Sequence, residues 1–285
     1  FLENINPKVI IGHHENYLIF SVKKYYPTSK IIVYLHHRLF KSQVNNLKKK
    51  SKNSSIDYFF VCDHLHKKIL QKYFKCKFII SGLIKNNEKK LLNKKKVFDI
   101  NFISEFRTVK YIKKKQHVKF IKYLTKILDM YCSNYNKKFV ISLNSSRKDK
   151  NIDQNKEINF FKNISSNIHF LKNKDSYEVA NISKIIVCLN SNLGAELLAR
   201  KKKVLFLPFL NKIHDNYKNP YFRKKLFFIC KKPNKKIIFK KINSLFKMKN
   251  ISWKKILKRE DISIIFDKDN SILKKKIAKL INFSA

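Results

Sequence analysis

The stretch CLNSNLGAELLARKKKVLFLP, Cys188–Pro208, decides how the rest of the chain is read. It starts at the end of an apolar run and passes through a polar turn, Asn190-Ser191-Asn192. It continues as an apolar segment of helical period and closes on a second apolar run, Lys203–Pro208. Strand, tight turn, helix and strand form the repeating unit of a parallel α/β sheet. The turn sets the first amides of a helix beside a strand's carboxyl end, where the helix dipole favours an anion. Gly194, one of only three glycines in 285 residues, lies in the first turn of that helix. It either lets a phosphate approach the backbone or lets the helix pack tightly on the sheet, and both uses stay open. Glu196 is placed to accept hydrogen bonds from ribose hydroxyls, or is an ordinary solvated helix residue.

The same alternation runs through the chain. Apolar runs at Pro7–Gly12, Lys30–Leu35, Asp57–Cys62 and Lys77–Gly82 read as four strands. NYLIFSVKKYY reads as a helix stopped by Pro27, and LHKKILQKYF as another. A Lys/Asn/Ser-rich loop fills the gap before Asp57. The charged segment KNNEKKLLNKKK, Lys85–Lys96, marks a domain boundary. Beyond it the pattern restarts, with strands at Val97–Ser104, Lys138–Leu143, Lys184–Leu189 and Lys203–Pro208, a short strand IHFLK and one more at Leu226–Cys230. The tail from Asn234 to Ala285 reads as mostly helical, with Asn270 or Ser271 capping the last helix. The expected division is 1–90 as a partial N-terminal domain and 97–285 as a C-terminal domain with a helical tail.

Composition narrows the function classes. The chain is 44% hydrophobic and 13% aromatic, so it can bury a core despite a formal charge of +46. Of 65 basic residues only six are arginine. Nucleic-acid sites favour arginine for bidentate contacts, and no nucleic-acid-binding motif is visible, so no specific nucleic acid is expected. The lysine excess, with abundant Asn and Ile, matches AT-rich coding. A basic surface still attracts anionic lipid, and SILKKKIAKLI, Ser271–Ile281, is a candidate attachment. Five widely spaced cysteines form no CxxC pair, as in a reduced, cytoplasmic protein. No apolar run approaches the roughly 18 residues that span a bilayer.

Ligands of open parallel sheets bind beyond the carboxyl ends of strands. The residues there are Gly12-His13-His14-Glu15 after the first strand, His36-His37-Arg38 after the second and Asp63-His64 after the third. In the second half they are Ser104-Glu105-Phe106-Arg107, Asn144-Ser145-Ser146-Arg147 and Asn190-Ser191-Asn192. Loops are polar in any case, so each cluster alone is weak evidence. His13, His14 and Glu15 are the candidate catalytic bases. No metal site is expected, because neighbouring His residues in a strand point to opposite faces and no HExxH or CxxC framework is present.

Ser176–Pro208 resembles the nucleotide-sugar half of GT-B glycosyltransferases, with its short helix, strand, Ser-containing turn, G-x-E helix and strand ending in Pro. S-x-L-G-x-E-L-L-A-R-x-K-K-V-L-F resembles more closely the bacterial surface-carbohydrate proteins of capsule and lipopolysaccharide biosynthesis. FISEFR (Phe102–Arg107) and KFIISGLIKNN are similar to further segments of that group, with Glu105 standing where glutamine is expected. The resemblance implies two Rossmann-like parallel-sheet domains facing a cleft, the first of them reduced or truncated on the acceptor side. It implies metal-independent transfer of a sugar from a nucleotide-sugar donor to a glycan or lipid-linked glycan acceptor, without a further cofactor, at the inner face of the membrane. Ser191, Asn192 and Gly194 would hold the diphosphate, Glu196 the ribose and Arg107 a fixed positive charge. Ser104, Asn144, Ser145 and Asn190 complete the donor-binding set. A polyol-phosphate transferase, a nucleotide-sugar epimerase and a non-catalytic member of a glycan assembly remain alternatives on this fold, and the charge keeps a basic nucleic-acid-binding protein as an alternative of another class.

Overall fold

The computed structural model describes residues 7–52, 54–90, 94–106, 115–144, 150–172, 174–208, 226–230, 234–260 and 265–282. The chain forms two compact units, each around its own parallel sheet, so the expected α/β class holds.

The first unit joins Phe1–Lys90 to the C-terminal Ile262–Ala285. Its strands are β1 (Val9–His13), β2 (Lys30–Tyr34), β3 (Tyr58–Val61) and β4 (Lys77–Ile80), paired in sequence order and all parallel. The segment after β1 is two short 3₁₀ turns, Tyr17–Phe20 and Val22–Lys24, in place of the expected helix. The Asn16 side chain and the Ser21 hydroxyl bond the local backbone and compete with regular helix. The Lys/Asn/Ser-rich stretch expected as a loop contains α1 (Lys41–Ser51), anchored by buried Leu47. The helices α2 (His64–Leu70) and α3 (Ile84–Glu88) follow, the latter overlapping the start of the charged segment read as the domain boundary.

Alternation along the strands divides this unit into two cores. Ile31, Val33, Phe59 and Val61 pack with Leu39, Leu47, Leu70 and Phe74 on one face. Ile32, Tyr58 and Phe60 point the other way, onto Ile272, Leu273, Ile277 and Leu280 of the C-terminal helix Ser271–Asn282. The end of the tail, Ile262–Ala285, therefore belongs to the first unit rather than the second, while Asn234–Asp261 stays with the second unit as expected. The candidate attachment segment thus has Ile272, Leu273, Ile277 and Leu280 engaged on this sheet. The junction is specific. Gly82 has φ +76°, and a Cβ there would lie 2.3 Å from the Ile265 carbonyl oxygen. Asn87 is buried; its Nδ2 donates to Ser81 O and Asn270 Oδ1, both at 2.8 Å, while its Oδ1 accepts from the Asp267 amide at 3.0 Å. Asp267 in turn accepts from the Ile272 amide at 2.8 Å.

The second unit comprises Leu91–Asp215 and Tyr221–Asp261. Its strands are β5 (Phe98–Ile103), β6 (Phe139–Ser142), β7 (His169–Phe170), β8 (Ser183–Cys188) and β9 (Lys203–Phe206), all parallel in the order β7-β6-β5-β8-β9. The order reverses at β5, so the connections leaving β5 and β8 diverge there. The helices are α4 (Lys115–Asn134), α5 (Lys150–Lys162), α6 (Ser176–Asn181), α7 (Asn192–Ala199), α8 (Lys235–Lys247) and α9 (Asn250–Arg259), which makes the C-terminal helix α10. Leu226–Cys230 is not a full strand; it contributes one bridge, Phe206 to Ile229. Cys62, Cys132, Cys188 and Cys230 are buried and unbridged, and Cys76 is half-buried. Among the described residues no helix is long and apolar enough to cross a membrane.

Replacing Asn87 with alanine strands a buried carbonyl and a buried amide. Asn87→Ala is expected to lower unfolding free energy by about 2–4 kcal/mol. Hydrogen exchange should show α10 losing protection before β2 and β3. Equal loss across the whole unit would mean that Asn87 does not clasp the tail.

Candidate functional site

In the second unit the polar residues collect where the sheet order reverses. The Asn190 amide, just past β8, donates to Glu105 Oε1 at 2.6 Å, just past β5. Asn144, past β6, donates from Nδ2 to Phe106 O at 2.9 Å, and its own amide is held by Glu157 at 3.0 Å. Three strand ends are thus tied into one edge. Glu105 in place of glutamine keeps this tie, since either side chain offers an oxygen acceptor. Ser104 is buried and accepts from the Phe106 amide at 3.0 Å, so its hydroxyl shapes the turn. Arg107 and Ser145 lie outside the described residues.

Ser191 is the N-cap of α7 and accepts from the Leu193 amide at 3.2 Å. Asn192 opens the helix. Gly194 answers the question its scarcity raises. A Cβ there would lie 2.4 Å from Cys188 Sγ and 3.1 Å from Phe206 Cε1. The missing side chain faces the sheet, so of the two uses left open the structure shows close packing of α7. Glu196 is buried and accepts from the Tyr177 hydroxyl of α6. Burial, then the Glu196 carboxylate, pushes the Tyr177 hydroxyl well above its ordinary range, so it stays protonated and donates. Glu196 is therefore a fixed, oriented carboxylate rather than a solvated one.

In the first unit, His13 ends β1, His14 follows it, and His36 and His37 follow β2. The rings of His36 and His37, which follow β2 rather than lie in it, do not diverge, and His14 stands beside both. His14 lies past the last residue of β1, where strand alternation no longer applies, and the parallel register sets the two pairs side by side. Ring centroids are 4.3 Å apart for His36–His37, 4.8 Å for His14–His37, 5.0 Å for His14–His36 and 5.2 Å for His13–His36. Glu15 joins them, 2.9 Å from His37 Nε2 and 3.4 Å from His36 Nε2. Burial alone would raise the Glu15 carboxyl, but the hydrogen bond and charge of His37 outweigh it and hold it below the ordinary range. His14 is 2% exposed, and burial, reinforced by His37, His36 and His13, pushes it down to about 2. Of the three candidate bases, Glu15 is exposed and ionised, His13 is half-buried and His14 is enclosed.

Sequence reading missed the network that positions this loop. Asp63 caps α2 and bonds His66 Nδ1 at 2.9 Å, while the Leu39 amide donates to His66 Nε2 at 3.0 Å. An amide can only donate, so the His66 proton sits on Nδ1, facing Asp63. The pair is fully buried and pins the chain two residues beyond His37. The sequence signal was the Asp-x-x-His spacing at a helix start.

Two Rossmann-like parallel sheets, the second with a polar turn at its switch point, define the GT-B class of fold. The chain belongs to the family described as "putative O-antigen biosynthesis protein", which matches residues 36–281. Among solved structures it is similar to a UDP-N-acetylglucosamine 2-epimerase, with TM-score 0.59, 11% identity, and 98% of this chain covering 73% of that one. It is equally similar to the glycosyltransferase of kitacinnamycin, with TM-score 0.59, 9% identity, 98% of this chain and 77% of that one. The pneumococcal O-GlcNAc transferase GtfA, solved with UDP and GlcNAc, gives TM-score 0.50 and 12% identity, and 91% of this chain spans only 54% of its length. No curated protein matches.

Gly194→Ala is expected to cost about 1–3 kcal/mol, because neither Cys188 nor the Phe206 ring can move far within the sheet. Gly194→Ala combined with Cys188→Ala should recover most of that loss in chemical denaturation. A neutral single variant would refute the packing role.

Proposed function

We propose that the protein transfers a sugar from a nucleotide-sugar donor to a surface-glycan acceptor. The observation that carries this reading is the tied polar edge at the switch point of the second sheet, in a chain of an O-antigen biosynthesis family. Ser191, Asn192 and the first turn of α7 take the donor diphosphate, where the helix dipole stabilises negative charge. Glu196, oriented by Tyr177, takes the ribose hydroxyls. Asn144 and Asn190 line the same edge, and Arg107 supplies positive charge to the leaving nucleotide. Glu15 accepts the proton of the acceptor hydroxyl as its oxygen attacks the anomeric carbon, and the nucleotide leaves with the electron pair of the broken C–O bond. The acceptor is a glycan or lipid-linked glycan, and the lysine-rich surface favours work beside an anionic membrane.

A second reading is epimerisation of the nucleotide-sugar itself, supported by the fold shared with the 2-epimerase. The two differ in whether turnover needs an acceptor.

A thermal-shift panel of UDP-, CMP-, GDP- and dTDP-sugars tests the donor site. One nucleotide class at about 100-fold its Kd should raise Tm by about 5 °C, and the shift should persist at raised salt. Shifts with every polyanion that vanish in salt would reduce the site to a basic surface. Glu15→Gln should then lower turnover by about 10²–10⁴-fold with the donor-induced shift intact. Unchanged turnover would remove Glu15 as the base.

A further inference from the structure

We propose that His14, His36 and His37 bind a single divalent transition-metal ion of the zinc class at the carboxyl ends of β1 and β2, with Glu15 beside it. The proposal does not depend on the transferase reading.

A ring nitrogen from each of the three residues lies within 4.8 Å of the other two. Tetrahedral zinc with bonds of about 2.0–2.1 Å needs ligand nitrogens closer still, at about 3.3 Å, so the rings must close on the ion as it binds. The tautomer of His37 is fixed. Its Nδ1 lies 2.9 Å from the Arg38 carbonyl oxygen, and a carbonyl can only accept, so Nδ1 carries a proton. That backbone bond is the usual second contact of a metal-binding imidazole, and it leaves Nε2 as the ligand atom. His37 Nε2 then faces Glu15 Oε1 at 2.9 Å and Gln43 Nε2 at 3.3 Å. In neutral His37 this nitrogen would face Glu15 lone pair to lone pair, so the contact needs either the added proton whose hydrogen bond lowers the Glu15 carboxyl or a bound cation.

An added proton on His37 would satisfy that single contact. It would leave both nitrogens of His14, and Nδ1 of His36, buried without a hydrogen-bond partner among the described residues. Buried polar atoms without partners are rare and need an explanation. One cation serves all three rings at once, and imidazole is a ligand type that zinc, copper, nickel and iron share. Three histidines with an open fourth position is also an arrangement used where a metal contacts substrate.

Two other groups of metal-ligand type occur among the described residues: His13, Glu15 and His36, which shares His36 with the proposed site, and Cys62, Asp63 and His66, which lacks this feature. Its Asp63 oxygens already accept from the His66 amide and ring, and His66 Nε2 accepts from Leu39. An ion there would have to break bonds that position the backbone.

The test uses the full, untagged chain, stripped with chelator and titrated with Zn²⁺ and Co²⁺ at pH 7. One equivalent is expected to bind, and the Co²⁺ form should show visible d–d bands without a near-ultraviolet thiolate band. His36→Gln and His37→Gln should each weaken binding at least 100-fold while circular dichroism and Tm of the stripped protein stay unchanged. They carry the test even if the enclosed His14→Gln variant fails to fold. Glu15→Gln should weaken binding less than 10-fold. Absence of stoichiometric binding, or full binding retained in both His36→Gln and His37→Gln, would overturn the site. A thiolate band would move the ion to Cys62. A loss in Glu15→Gln as large as in the histidine variants would move it to His13, Glu15 and His36, and the three-histidine assignment would fall.

Discussion

A parallel sheet must be covered on both faces, and the architecture of the first unit follows from how that demand is met. Strands β1 to β4 pair in sequence order, and the segments joining them pack against Ile31, Val33, Phe59 and Val61. Those segments leave Ile32, Tyr58 and Phe60 without cover. The cover comes from α10, more than two hundred residues away in sequence. Each apolar side chain removed from water there is worth about 1.5–3 kcal/mol, enough to fix the path of the tail. The side chain of Asn87 and the absent side chain of Gly82 make the crossing specific rather than merely sticky.

That constraint reaches the candidate site. The histidine cluster stands on the ends of β1 and β2, so its geometry rests on a sheet that the C-terminal helix completes. The Asp63–His66 pair adds a local hold on the loop after β2 through the Leu39 amide. In the second unit the corresponding hold is Glu105 on the Asn190 amide and Gly194 against Cys188. In both units a buried polar or steric contact at a strand end determines where the exposed polar groups stand.

The strands were legible because buried parallel strands are mostly apolar runs, and all nine described strands overlap segments read as strands, even β7, which is only His169–Phe170. Helix α1 was not legible: KSQVNNLKKKS buries only Leu47, and its polar composition reads as a loop. The allegiance of the tail was hidden for another reason. Its amphipathic pattern says that one face is buried but not against what. The donor edge was half legible. The turn and its cap at Ser191 could be read directly, whereas the packing role of Gly194 depends on Cys188 and Phe206 across the sheet. The histidine cluster was misread because alternation was applied beyond the last residue of β1, where parallel register sets which loops are neighbours.

Acidic residues are scarce in this chain, 19 against 65 basic ones, so where each is spent is informative. Asp57, Asp63, Asp99, Asp175 and Asp267 all accept from backbone amides at the start of an element. Glu105, Glu157 and Glu260 hold the amides of Asn190, Asn144 and Phe227. These carboxylates do structural work that a solvated lysine cannot. Glu15 differs. It is exposed, and its carboxylate meets the imidazoles of His36 and His37 at a strand end. A chain that places at least eight of its few carboxylates on backbone amides has set this one among four histidines, where it contributes little to the fold and much to the charge of an open site. That placement makes the end of β1, rather than the basic surface at large, the chemically distinctive part of the first unit.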